Sequence, residues 1–230
     1  MNYPIVYCVS GSPYAWQVLL TLEVKRMNYA SRLLEASKGD LKKPEYLALN
    51  PRGRVPTLKD GDFVLYESLA IMAYLDRKRP DPPLFGGTAE ETARIWRSIS
   101  EYFSYMDARV SRIVGPLYFG KAGEKADDIR AAATEVHVEL ERLDQSLRDS
   151  RWLGGGDALC AADIAIYPFV KSLARAASKD EAKPLELGIL PLESRYRNLA
   201  GWMQRVEAVP AMSALIRRTG SSENREFAVA

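Results

Sequence analysis

Over the first eighty positions the apolar residues fall in short runs separated by polar turns, whereas beyond residue 88 they recur every three to four positions. Ile5 to Val9, rich in β-branched and aromatic residues, predicts a buried strand. Ser10-Gly11-Ser12-Pro13 reads as a turn. From Tyr14 onward Val18, Leu19 and Leu22 share one helical face, and Lys25-Arg26 suit the end of that helix. Tyr29 to Leu34 predicts a second strand, parallel to the first after the helical crossover. Gly39 to Leu49 is a polar, basic loop with one helical turn after Pro44. Val55 to Leu58 and Phe63 to Tyr66 predict a hairpin across Lys59-Asp60-Gly61-Asp62, because Asp-Gly is a strong turn signal. A further helix follows Glu67-Ser68, carried by Leu69, Met72 and Ala73. The order β-α-β-α-β-β-α predicts an α/β domain with a mixed four-stranded sheet.

Arg79-Pro80-Asp81-Pro82-Pro83 and Phe85-Gly86-Gly87 cannot continue a helix. They divide the chain into a domain over 1–80, a linker over 81–87 and an all-helical domain over 88–230. Ile95, Ile99, Tyr102, Met106, Val110 and Ile113 predict one long amphipathic helix, which Gly115-Pro116 ends or kinks. Helices are also predicted over Asp127 to Asp149, Ala161 to Ala176, Tyr196 to Val209 and Ala211 to Arg218. The first half of the 161–176 helix is apolar nearly all round, as at the centre of a bundle, and Pro168 predicts a kink in it. The tail from Gly220 is expected to fray.

Composition narrows the chemistry. At 230 residues and 47% hydrophobic, the chain can bury substantial cores. It has no apolar run long enough to span a membrane. The first residues lack the basic, then apolar, character of a secretory signal, so a cytoplasmic location is expected. Residues 1–80 carry 12 Lys/Arg against 8 Asp/Glu, a surplus of +4, while the whole chain is only +2. That balance suits a small anionic ligand and disfavours nucleic acid. One histidine, His137, excludes multi-histidine zinc sites and, with no second catalytic cluster in view, argues against a Ser-His-Asp triad, so its role is read as structural or solvent-facing. Cys8 and Cys160 read as two buried thiols of a reducing compartment.

The candidate chemistry lies at two points of the first domain. Pro56 has no N–H for a ladder, and a cis bond before it would leave the Val55 backbone free to face a cleft. At Glu67-Ser68 a carboxylate, a hydroxyl and unpaired helix N–H groups converge. A strand edge beside such a helix start suits a short peptide. Ser12 stands before the first helix, whose N-terminus favours an anion. The Ser12 hydroxyl either caps that helix or donates to a bound thiolate; Ser10 is the reserve candidate.

The Asn50-Pro51 to Val55-Pro56-Thr57-Leu58 stretch with Glu67-Ser68 resembles the glutathione-binding half of the cytosolic glutathione transferases. Ser12-Pro13-Tyr14 with Trp16-Gln17-Val18-Leu19 resembles a serine-type active-site segment of the tau, zeta and omega kind, with serine in place of the omega-class cysteine. The resemblance implies a thioredoxin-like domain followed by a helical bundle, and a homodimer. It implies conjugation of glutathione to a hydrophobic electrophile in detoxification, with glutathione as co-substrate and no metal or redox cofactor. Residue by residue it assigns the thiolate to Ser12 and the γ-glutamyl group to Glu67 and Ser68. The cysteinyl backbone goes to Val55, and the glycyl carboxylate to Lys42 (with Lys43 competing) and Arg54. Tyr14, Tyr105, Met106 and Arg109 are the expected electrophile contacts. Asp163, three residues after Cys160, matches a helix-capping position and is expected to be structural. The rivals are a non-catalytic scaffold of the same fold and a glutathione peroxidase or isomerase at the same serine. A thiol transferase or dehydroascorbate reductase is a further rival, but it needs a reactive cysteine, and Cys8 sits mid-strand.

Overall fold

The structure is a computed structural model that describes residues 3–220 and 226–227, with side chains through residue 216. The chain divides into two compact units. One holds the residues up to Leu84 together with the chain from Ala208 on, and the other holds Phe85–Glu207.

In the first unit, strands β1 (Ile5–Cys8), β2 (Ala30–Leu33), β3 (Thr57–Asp60) and β4 (Phe63–Tyr66) form the expected mixed sheet. A short strand β5 (Glu226–Phe227) extends it to the order β4-β3-β1-β2-β5. β1 and β2 are parallel, and the other pairs are antiparallel. Helices α1 (Pro13–Val24), α2 (Pro44–Leu47) and α3 (Ser68–Lys78) follow the predicted order. Val6, Leu58, Val18, Leu22, Ile71, Met72 and Leu75 close the core with no exposed surface. β3 starts two residues later than predicted, since Pro56 cannot donate to the ladder.

Three expectations change here. The second domain was expected to run to residue 230, yet α10 (Pro210–Gly220) packs on α1 and buries Met212 and Leu215 in the first unit. Of the tail expected to fray, residues 221–225 and 228–230 lie outside the described residues. Glu226–Phe227 pair with Arg32 and Ser31, because the open edge of β2 offers free backbone groups. Lys25, read as a basic helix-end residue, is fully buried. Its ammonium donates to the Asp76 carboxylate and to the Pro82 carbonyl, and lies 3.4 Å from the Pro80 carbonyl. Asp76 also accepts the Leu84 N–H at 2.9 Å, so the start of the expected linker is tied into the first unit.

The second unit is helical: α4 (Ala89–Glu101), α5 (Asp107–Tyr118), α6 (Ala126–Ser146), α7 (Ala161–Ala177), α8 (Leu192–Arg195) and α9 (Arg197–Glu207). Thr88 starts α4 with a capping box, its hydroxyl accepting the Glu91 N–H at 3.2 Å while Glu91 accepts the Thr88 N–H at 3.2 Å. The long helix expected to stop or bend at Gly115-Pro116 runs on to Tyr118, because the proline removes a donor only in the last turn and Phe119 N–H still reaches the Gly115 carbonyl. Its irregularity lies earlier, where Tyr102–Met106 form a π turn between α4 and α5. Asp163 at the start of buried α7 is fully enclosed. It accepts the Leu153, Cys160 and Trp202 Nε1 donors at 2.8 to 2.9 Å, together with the Cys160 thiol. Burial raises its carboxyl pKa while these donors oppose the rise, and its role is structural. His137 bridges the Tyr196 hydroxyl and, at 2.7 Å, the Leu187 carbonyl, so it fastens α6 to the segment before α9.

Candidate active site

The strand register gathers the candidate residues at one end of the first unit's sheet. Tyr7 lies opposite Thr57, Thr57 opposite Tyr66, and Cys8 beside Leu33. The segments leaving β1, β2 and β4 and the segment entering β3 therefore emerge together. They carry Ser12, Lys42, Glu67 and Val55 respectively.

Ser12 is extended (φ −69°, ψ 116°) and its Oγ accepts the Ala15 N–H at 3.3 Å. The cap uses an oxygen lone pair, so the hydroxyl proton stays available for a second partner. Ser12 is half-buried. Cap and donor are thus compatible roles for one side chain.

A polar network that the sequence reading missed holds the loop before β3. Buried Asn50 donates through Nδ2 to the Arg54 carbonyl at 2.8 Å and to Thr57 Oγ1 at 3.2 Å, and accepts the Arg52 N–H at 3.1 Å. The Tyr46 hydroxyl donates to the same Arg54 carbonyl at 2.5 Å and lies 2.9 Å from Thr57 Oγ1. The Val55–Pro56 bond is cis. Among the described residues the Val55 N–H and C=O take no hydrogen-bond partner. Gly53 has φ +58°, and a Cβ there would lie 2.8 Å from the Leu41 carbonyl oxygen, so only glycine fits. The Asn-Pro and Gly-x-x-Pro spacing was the available signal for this network.

Glu67 precedes α3 with φ +70°, a conformation that costs a non-glycine residue about 1–3 kcal/mol and tends to persist at functional sites. Among the described residues its exposed carboxylate meets only Arg52 Nε, at 3.7 Å. Ser68, the first residue of α3, is buried. Of the two competing lysines, Lys43 pairs with Asp40 at 2.8 Å, and the Lys43 ammonium holds the Asp40 carboxyl below the usual carboxylate range. Lys42 instead folds over Gly53, its Nζ 3.2 Å from where a Cβ would sit. The Arg54 guanidinium is exposed, with no carboxylate partner among the described residues.

The remaining candidates separate. Tyr14 is half-buried on α1 in the first unit. In the second unit Tyr105 and Met106 line a cavity of about 620 Å³ together with Arg94, Arg97, Tyr102 and Trp152. Arg109 does not line that cavity; its Nε donates to Glu135 at 2.7 Å and its Nη1 to the Tyr105 carbonyl. Cys8 is buried, its thiol donating to the Arg32 carbonyl at 3.6 Å, and burial raises its pKa to about 11. That leaves little thiolate at neutral pH. No group of three or more His, Cys, Asp or Glu among the described residues could hold a metal ion.

Residues 11–78 match the family model for the glutathione S-transferase N-terminal domain, and residues 105–210 match that for the C-terminal domain. Glutathione S-transferase 4 of Zea mays is 41% identical over 175 residues, 73% of this chain and 76% of that protein. Glutathione S-transferase F10 of Arabidopsis thaliana is 30% identical over 163 residues, 68% of this chain and 75% of that protein. Among solved structures, glutathione transferase F2 from Populus trichocarpa is similar with a TM-score of 0.80 and 26% identity, covering 95% of this chain and 100% of that one. The chain belongs to the glutathione S-transferase family and is a transferase with a thioredoxin-like N-terminal domain and a helical C-terminal domain.

Proposed function

We propose that this transferase is of the serine type, akin at its active-site segment to the tau, zeta and omega classes, and that it conjugates the glutathione thiolate to a hydrophobic electrophile. The observation that carries the reading is the Ser12 hydroxyl, whose oxygen caps α1 while its proton stays free at the sheet end shared with Val55 and Glu67. In this reading the bound thiol gives its proton to solvent, and the thiolate accepts a hydrogen bond from Ser12, which lowers the thiol pKa. The sulfur then bonds to the electrophilic carbon, and the displaced electron pair leaves with the leaving group or moves into a conjugated acceptor. The open N–H and C=O of Val55 pair with the cysteinyl unit. Glu67 and Ser68 receive the γ-glutamyl ammonium and carboxylate, and Lys42 and Arg54 neutralise the glycyl carboxylate. The unpaired position of Lys42 over Gly53 supports it over Lys43. Tyr14, Tyr105 and Met106 contact the electrophile. No cofactor beyond glutathione is required; the enzyme works as a homodimer in the cytoplasm.

The test is an ultraviolet pH titration of the glutathione thiolate bound to wild-type protein and to Ser12→Ala. A hydrogen bond to a charged acceptor contributes about 1.5–3 kcal/mol, so the bound thiol should ionise roughly one to two pH units higher in Ser12→Ala. An unchanged titration would move the role to Ser10 or to the backbone.

A further inference from the structure

The irregular turn of the second unit carries Tyr105 and Met106, two of the proposed electrophile contacts. Between α4 and α5 an extra residue is wound into the helix, and the Asp107 N–H reaches back to the Tyr102 carbonyl. Such π insertions disturb the regular ladder and are frequent at functional sites. On the inner side the Tyr102 ring meets Phe103 and Phe169 at 5.2 Å between centroids, which fixes the turn against α7. Tyr105 is 54% exposed and Met106 is buried, and both wall the cavity together with Tyr102.

Arg109 spans this turn and the neighbouring helix. Its Nη1 donates to the Tyr105 carbonyl, and its Nε donates to Glu135 Oε2 on α6 at 2.7 Å. The other Glu135 oxygen accepts Arg112 Nη1 at 2.9 Å, and Arg112 Nε donates onward to Asp128 at 3.0 Å. Of the two arginines on Glu135, only Arg109 bonds to the π turn. The planar guanidinium of Arg109 holds separate nitrogens on the Tyr105 carbonyl and the Glu135 carboxylate, a spread that the single ammonium nitrogen of a lysine does not reproduce. The arginines are 33% and 36% exposed and Glu135 43%, so the pairs contribute little to global stability. What Arg109 adds is direction.

We infer that Arg109, anchored by Glu135, is a positioning residue for the electrophile site: it clamps the π turn and sets the direction in which Tyr105 and Met106 enter the cavity. The inference rests on the reading that these two side chains meet the electrophile. Arg109 is thus moved from contact to support.

Steady-state kinetics with glutathione and 1-chloro-2,4-dinitrobenzene, beside hydrogen exchange of residues 102–110, test this. Arg109→Ala should raise KM for the electrophile about fivefold or more and leave KM for glutathione within about twofold, since misplacement by a fraction of an ångström acts on one substrate only. Exchange across 102–110 should quicken in Arg109→Ala, Arg109→Lys should restore neither property, and Arg112→Ala should change neither. Equal effects of the Arg109 and Arg112 variants, or an equal rise in both KM values, would overturn the inference. Tyr105→Ala identifies which premise fails. If it leaves the electrophile KM unchanged, the contact reading falls; if it raises that KM while Arg109→Ala does not, positioning alone is wrong.

Discussion

The buried ion pair of the first unit allows a prediction whose size can be worked out. The Lys25 side chain is 0% exposed and that of Asp76 12%. The ammonium is met by the Asp76 carboxylate and by the carbonyls of Pro82 and Pro80, and Asp76 holds the Leu84 N–H besides. Removing one member leaves the other charge uncompensated in the interior, at a cost of about 3–5 kcal/mol. Asp76→Ala also orphans a backbone N–H, worth about 1–3 kcal/mol more, so it should be the most damaging change. Lys25→Met keeps most of the apolar stem and leaves a carboxylate that still has one donor and a little solvent, which sets it near the lower figure of about 3 kcal/mol. Lys25→Met/Asp76→Leu removes both charges and should be the mildest, with a residual cost of about 1–3 kcal/mol from the abandoned backbone groups. Because the chain has two units, native-state hydrogen exchange of the β1 and β3 amides is the right assay, since it reads this unit's own opening free energy. A double variant as damaging as the two singles added would show the charges to be uncoupled, and a Lys25→Met loss below about 1 kcal/mol would refute the burial argument.

Three further outcomes follow from the same geometry. Ser12→Asp keeps a side chain as good as serine at an N-cap, so stability should stay within about 0.5 kcal/mol, but it supplies an anion instead of a donor and turnover should fall at least about tenfold; retained turnover would reduce Ser12 to a cap. With the Cys8 thiol raised to about 11 by burial, a disulfide reagent at pH 8 should leave native Cys8 unlabelled over minutes and modify it after denaturation; rapid native labelling would revive the thiol-transferase rival. Arg112, the largest influence, holds Asp128 and Glu135 below their usual range, with Arg109 adding to the effect on Glu135. Depressed folded values mean that the stabilisation is present above the unfolded carboxylate values near about 4 and is lost as pH falls through the folded ones, so Arg112→Ala should flatten the acid dependence of the urea midpoint. Parallel curves for wild type and variant would refute it.

The parts legible in sequence are those set by short-range rules. The hairpin turn at Asp60-Gly61, the cis bond before Pro56 and the Glu67-Ser68 helix start each depend on neighbours a few residues away and appear where the residues predict them, although β3 itself begins only after the proline. Lys25 reads only as a helix-end cation because its partners are 51 to 57 positions distant, and no local pattern announces an aspartate waiting there. The return of α10 to α1 was hidden for the same reason, and α8 is too short to display a helical period. The π turn is a tertiary outcome: Phe103 against Phe169 and Arg109 against Glu135 both join α4–α5 to other helices. An apolar spacing that fits an unbroken helix gives no sign of them.

This contrast divides the site itself. In the proposed reading the glutathione side rests on groups that the chain carries in its backbone or at helix and strand ends: the open Val55 peptide, the strained Glu67, and a capping serine with a spare proton. Such groups are specified by glycine, proline and capping chemistry, which act locally and can be read in order. The proposed electrophile side rests on which way Tyr105 and Met106 point, and that follows from one residue's phase in a helix packed against α6 and α7. A single inserted residue turns every following side chain by about 100°, so the spacing of Tyr105 and Arg109 places them on one face only if the helix is regular. It is not regular here. On the inference drawn above, Arg109 supports the proposed site rather than lining it.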